Sequence, residues 1–144
     1  FRPKIVQALN ALEETGVVKL VSRFSVKYVN LLQGNGLPEQ YAMVKFSGQL
    51  GNTKLTNALS VIRAEFDQGG YRNIVEMSPN SFVANVADGT KMDGLLLSVD
   101  TIALNIDTTI ANILSKIDDC HSVEKEIFFG AISEHAKTIY RPKE

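Results

Sequence analysis

The stretch TTIANILSKIDDCHSVEKEIFFGAI, residues 108–132, decides how this chain is read. Ile110, Ile113, Leu114, Ile117, Ile127, Phe128, Ala131 and Ile132 recur at spacings of three and four, which lays one apolar stripe along a helix. Neither Gly nor Pro interrupts the run before Gly130, so the spacing predicts a single long helix. At about 1.5 Å per residue it spans roughly 30 Å, the width of a small domain, and offers a surface for a sheet to lie against. His121 stands where the stripe calls for an apolar residue.

Upstream of that helix, Gly94 opens the strongest core strand, residues 95–104. Both of its faces are mostly apolar, which predicts a central strand covered on both sides. Asp107 or Thr108 is expected to cap the helix that follows. Residues 17–32 alternate with period two. Val18, Leu20, Ser22, Phe24, Val26, Tyr28, Asn30 and Leu32 fall on one face, and the other carries Lys19, Arg23, Ser25 and Lys27. That is the pattern of a half-buried strand, long enough to expect a bend or bulge. Gln68-Gly69-Gly70-Tyr71 reads as a hairpin turn between strands at 57–67 and 71–77, although Leu55, Leu59, Ile62 and Phe66 also fit a helix. Gly34-Asn35-Gly36 with Pro38 reads as a loop, and residues 39–54 as a short strand or packed loop. Ser78-Pro79-Asn80 reads as a turn, residues 82–86 as a brief edge strand and residues 88–90 as a loop. A first helix is expected over 3–15, closed by Gly16, and a short last one from Ser133 to about Tyr140, ended by Pro142. The sum is an α+β domain over residues 1–144: a mainly antiparallel sheet of four to five strands, packed by an N-terminal helix and a long C-terminal helix.

Composition narrows the functional classes. Fifteen basic against 16 acidic residues in 144 leave no electrostatic footprint for nucleic acid or an anionic membrane, and near-neutral charge favours self-association. The expected partner is a second copy or another protein. No apolar run approaches the roughly 20 residues that span a bilayer. A lone cysteine, Cys120, rules out an internal disulfide framework and fits a reducing, cytoplasmic compartment. The start at Phe1-Arg2-Pro3-Lys4, without Met or a signal h-region, fits the C-terminal part of a longer protein.

Three segments carry a resemblance. The run from Arg23 to Asn30, with Tyr28 within it, is similar to an Arg-x-Gly-x-Arg-Tyr-x-Asn strand. Leu97-Ser98-Val99-Asp100 is similar to a Leu-Asp-x-Asp strand. His121, Phe128 and Ile132-Ser133-Glu134 resemble a helix that carries His and closes on Phe-Glu-x-x-Ile-Thr-Asp. In this order the chain resembles the C-terminal part of a sporadically distributed bacterial family of uncharacterised proteins. Arg23, Tyr28, Asn30, Asp100, His121 and Phe128 match that pattern. Ser25, Lys27, Ser98, Phe129 and Ser133 depart from it, and Ser98 removes one of two paired carboxylates. The resemblance implies a fold and no activity.

The residues that could carry chemistry are few. His121 is a candidate general base, with Glu124 one turn further along the helix; the structural alternative is a buried histidine satisfied by Asn30 or Asp100. Asp100, in the most apolar strand, must be paired or protonated if buried, and Arg23, Tyr28 or His121 could pair it. Arg23, Tyr28 and Asn30 are candidate binding residues. No metal site is expected, since His135 would lie about 20 Å from His121 on a continuous helix. Cys120 diverges by about 100° from its neighbour His121 and cannot pair with it. No phosphate loop, dinucleotide loop or nucleophile elbow is present, and no cofactor is implied. Lys19, Arg23 and Lys27 make a small basic stripe that phosphate could use. The leading reading is a non-enzymatic binding or assembly module that self-associates. The rival is a hydrolase-type enzyme with His121 and Asp100 in a helix–sheet cleft. It requires those side chains to converge; the expectation is that His121, Asn30 and Asp100 form no open site.

Overall fold

A computed structural model describes residues 2–140. In chain order the elements are α1 (Arg2–Glu14), β1 (Val21–Gln33), α2 (Gly36–Ala42), the two-residue strands β2 (Gln49–Leu50) and β3 (Thr53–Lys54), β4 (Ile62–Gln68), β5 (Tyr71–Ala84), β6 (Lys91–Thr108), α3 (Ile110–Ala131) and α4 (Glu134–Ile139). β1, β6, β5 and β4 form, in that order, one antiparallel sheet; β2 and β3 pair separately. The fold is α+β, with the long helix across the sheet as its periodicity predicts.

Register determines which side chains meet that helix. Val26 faces Thr101 across the β1–β6 ladder, Tyr28 faces Val99, Asn30 faces Leu97 and Leu32 faces Leu95. These pairs, joined by Met77 of β5, lie on the helix side, where Leu32, Leu95, Leu97, Val99, Ile127, Phe128 and Ile132 form the core. The intervening pairs, Val29 with Ser98 and Lys27 with Asp100, point to the opposite face. No helix covers that second face among the described residues. β6 is therefore central but covered on one side only, which corrects the expectation drawn from its apolar composition. The uncovered face carries an ion network instead. Arg63 bonds Glu76 and Glu65, each at 2.6 Å, Lys27 lies 3.7 Å from Glu76, and Arg72 bonds Asp67 at 2.6 Å. Of the basic stripe of the sequence, Lys27 is thereby paired with an acid, while Arg23 lies opposite Leu104.

Other differences have local causes. Residues 36–42 are helical although Gly and Pro punctuate them. Pro38 sits in the first turn, where an N–H has no helical partner to lose, and Glu39 accepts the Asn35 backbone N–H at 2.8 Å. The expected turn at Ser78-Pro79-Asn80 and the edge strand after it are one bulged strand. Asn80 adopts φ 52° there, and the buried Gln40 accepts its N–H at 2.7 Å. β6 continues past Leu104 through a second bulge, with Asn105 at φ 54° and Asp107 at φ 36°. This moves the helix cap to Thr109 instead of Asp107 or Thr108, and its side chain makes no capping bond. Ser133 does cap α4, accepting the Ala136 N–H. The expected stop at Pro142 lies outside the described residues.

The hairpin turn forms where the sequence places it. Gly69 and Gly70 take φ 63° and 81°, as a two-residue type I′ turn requires. Asn73, fully buried, donates to the carbonyls of Gln68 and Tyr71 and accepts from Thr101 Oγ1 at 2.9 Å. All three of these bonds lie beneath the turn, so the buried amide fixes the hairpin to the centre of the sheet.

Candidate functional site

His121 projects from the middle of α3 towards β1. Its ring stacks on Tyr28, with centroids 5.0 Å apart and planes 24° from parallel. Its Nδ1 is buried and lies 3.4 Å from Glu124 Oε2, without hydrogen-bond geometry. Glu124 is only 3% exposed, whereas the His121 side chain is 39% exposed. The contact has ion-pair distance, but burial opposes both charges. It pushes the Glu124 carboxyl up to about 7 and, with Lys125 nearby, holds the His121 imidazole below its ordinary value. Near neutral pH the pair thus consists of a neutral imidazole and a carboxyl close to half protonated. Burial, then the Glu124 charge, raises the Tyr28 phenol.

Above this group lies a cavity of about 280 Å³ lined by Arg2 and Ile5 of α1, Val26 and Tyr28 of β1, and Ile117, Asp118 and His121 of α3. Arg2 closes it with two bonds to Asp118, Nε to Oδ1 at 3.2 Å and Nη2 to Oδ2 at 2.9 Å. Each partner favours the other's charged form, which raises the Arg2 pKa and lowers that of Asp118. No periodicity signals this clamp, because its partners are 116 residues apart.

The other expected site residues divide between the two faces. Asp100 is on the uncovered face, opposite Lys27 and Ile74, and its Oδ1 is buried without a hydrogen-bond partner. Arg23 is on that face too, opposite Leu104. Tyr28 and Asn30 are on the helix side, but no hydrogen bond joins Asn30 to His121 among the described residues. His121 and Asp100 therefore do not converge, and the carboxylate that meets His121 is Glu124. No group of three or more His, Cys, Asp or Glu side chains gathers into a cation site among the described residues. Cys120 points into the core, where its Sγ donates to the Thr101 carbonyl at 3.2 Å and burial pushes the thiol up to about 11. It is expected to react with a water-soluble disulfide reagent only as fast as the chain unfolds; rapid labelling of the native protein would contradict this burial.

A larger cleft, of about 570 Å³, opens on the same side of the sheet between β4 and the C-terminal half of α3. Phe46, Ile62, Phe66, Val75 and Ile127 line it, and Gln68 and Glu126 are its polar groups. Sequence reading did not find it, although Ile62, Ala64 and Phe66 alternate along β4 and Gly130 interrupts the helix opposite. No helix among the described residues is long and apolar enough to cross a membrane. Comparison of the chain with family models, with curated proteins and with solved structures gives no match.

Proposed function

We propose that this protein is a non-enzymatic assembly module that pairs with a second copy through the outer edge of β1. The observation that carries this reading is an unfinished layer. β1 ends the sheet with a 13-residue edge, while α1 packs beside α3 on the β1 side and has no buried residue. Its apolar stripe starts at Ile5, over Val26 and Tyr28 of β1, and runs through Leu9 to Leu12, which is 39% exposed. Tyr140 already accepts the Gln33 N–H and donates to the Leu31 carbonyl at the end of that edge. A second β1, antiparallel to the first, would satisfy the backbone groups that stay free between Val21 and Asn30. Placing Val26 opposite its own counterpart sets Phe24 against Tyr28 and Val29 against Arg23 of the second copy, an arrangement with no like charges directly opposite each other.

Val29 is 56% exposed, so its replacement tests the register without disturbing the core. Val29→Lys is expected to weaken dimerisation about tenfold by facing Arg23, whereas Val29→Glu is expected to preserve or tighten it. Sedimentation of the full chain across micromolar concentrations reads both. A strict monomer, or equal effects of the two charges, would defeat the proposal.

A second reading, acid–base chemistry, draws support from the burial of Glu124 against His121 beside a cavity. It runs on Glu124 in place of Asp100. Its check is the imidazole titration: the His121 resonances should shift in two steps that Glu124→Gln reduces to one. A single unperturbed step in the parent would remove its basis.

A further inference from the structure

We infer that β4 and the cleft beside it form a docking groove for an extended peptide of a partner protein, which adds as a fifth strand and places alternate apolar side chains in the cleft. Two independent features meet on β4. It is the other terminal strand of the sheet, so one side of its backbone is unpaired among the described residues. Ile62, Ala64, Phe66 and Gln68 point from this strand into the cleft, while Arg63, Glu65 and Asp67 point to the opposite face. A strand laid against that edge repeats every two residues, so every second side chain would enter the cleft and the others would face water. Its volume of about 570 Å³ leaves room for several such side chains.

The opposite wall is held open by small residues. Gly130 lies in the last turns of α3, and a Cβ there would meet nothing within 4 Å. Glycine in a helix costs stability relative to alanine, and no neighbouring atom excludes a side chain at this position. The upstream residues Leu59 and Val61 are exposed and extend the apolar character of the edge. Glu126, on the wall of the cleft, has no ion-pair partner among the described residues and suits a lysine or arginine at the end of the incoming strand. A second copy adding its own β4 would bring Ile62, Ala64, Phe66 and Gln68 to the cleft face and no base to meet Glu126. The occupant is therefore a foreign segment with apolar residues at alternate positions and a flanking base.

The test uses the full chain and a synthetic nonapeptide alternating leucine with threonine, with lysine at both ends, followed by fluorescence anisotropy. Saturable binding is expected, weakened about tenfold or more by Gly130→Leu, which fills the cleft from a position with open space around it. Ala64→Phe, from the opposite wall, is expected to do the same. Two versions of the peptide, N-methylated on alternate amides in the two possible registers, separate strand addition from apolar contact. One should bind like the parent and the other about tenfold more weakly. Equal binding of both would overturn strand addition, and unchanged binding to both cleft variants would overturn the location. A change in the size of the chain itself on Gly130→Leu would overturn the foreign occupant in favour of a second copy. Absence of saturable binding to the parent would overturn the whole inference.

Discussion

Replacement of Glu124 by glutamine is expected to stabilise the protein by about 2–3 kcal/mol at pH 8 and to leave stability nearly unchanged at pH 4.5. A carboxyl whose pKa rises from 4.5 to about 7 on folding binds its proton more tightly in the native state. That preference stabilises the fold fully below pH 4.5 and is lost as the pH rises through about 7. At roughly 1.4 kcal/mol for each pH step between the two values, the loss reaches about 3 kcal/mol. Glutamine fills the same space and never ionises, so the variant escapes this loss. His121 acts in the other direction. Its lowered pKa supplies stability above the ordinary value of 6.5 that disappears on acidification. The two slopes oppose each other just below pH 6.5, and above it the decline attributable to Glu124 continues alone to about 7. Urea unfolding of both proteins at pH 5 and pH 8 measures the effect. If the parent and Glu124→Gln lose the same stability between those conditions, the carboxylate is not held in an unfavourable place.

Gly94→Ala is expected to cost about 1–3 kcal/mol or more, through overpacking at the centre of the sheet. A Cβ at this position would lie 2.4 Å from the Leu32 carbonyl oxygen and 2.9 Å from its carbon. Both are backbone atoms, which cannot rotate aside as a side chain would. Gly94 pairs with Gln33 on one side and Ser81 on the other, where β5 resumes after its bulge. Relief therefore requires separation of the ladders that hold β6 between its neighbours. The control is Gly130→Ala, where the new methyl meets no atom and helix propensity favours alanine; stability should rise or remain unchanged. Denaturation midpoints of the two variants decide the matter, and a loss below about 0.5 kcal/mol for Gly94→Ala would refute the steric account.

What could be read locally was read from periodicity. The spacing of Ile113, Ile117, Ile127 and Phe128 specifies α3, and Gly69-Gly70 specifies a turn because glycine takes positive φ at both positions without strain. Alternation in β1 separates Tyr28 from Lys27 correctly. The failures occur where side chains from elsewhere supply what the local sequence lacks. Gln40 supports Asn80, so the expected turn becomes a bulge within β5. Glu39 satisfies the start of α2, so residues that suggest a loop form a helix.

The candidate site shows the same division. His121 and Glu124 are one helical turn apart, and their proximity follows from the sequence alone. Asp100 could be assigned to a face with Ser98 and Ile102, but not to the correct side of the sheet. β6 is apolar on both faces, so nothing in its composition shows which one the helix covers. Pairing with β1 resolves it: Lys27 lies opposite Asp100 and Tyr28 opposite Val99, so the helix meets the tyrosine and not the aspartate. Register is a contact between strands about 70 residues apart, set by the total packing of both faces. The sequence by itself determined the long helix, the alternating faces of β1 and the hairpin turn, because these depend on spacing within one segment. The tertiary structure alone decided that His121 meets Glu124 without Asp100, that one sheet face stays uncovered, and that β4 borders a cleft. Each of these depends on which segments lie side by side.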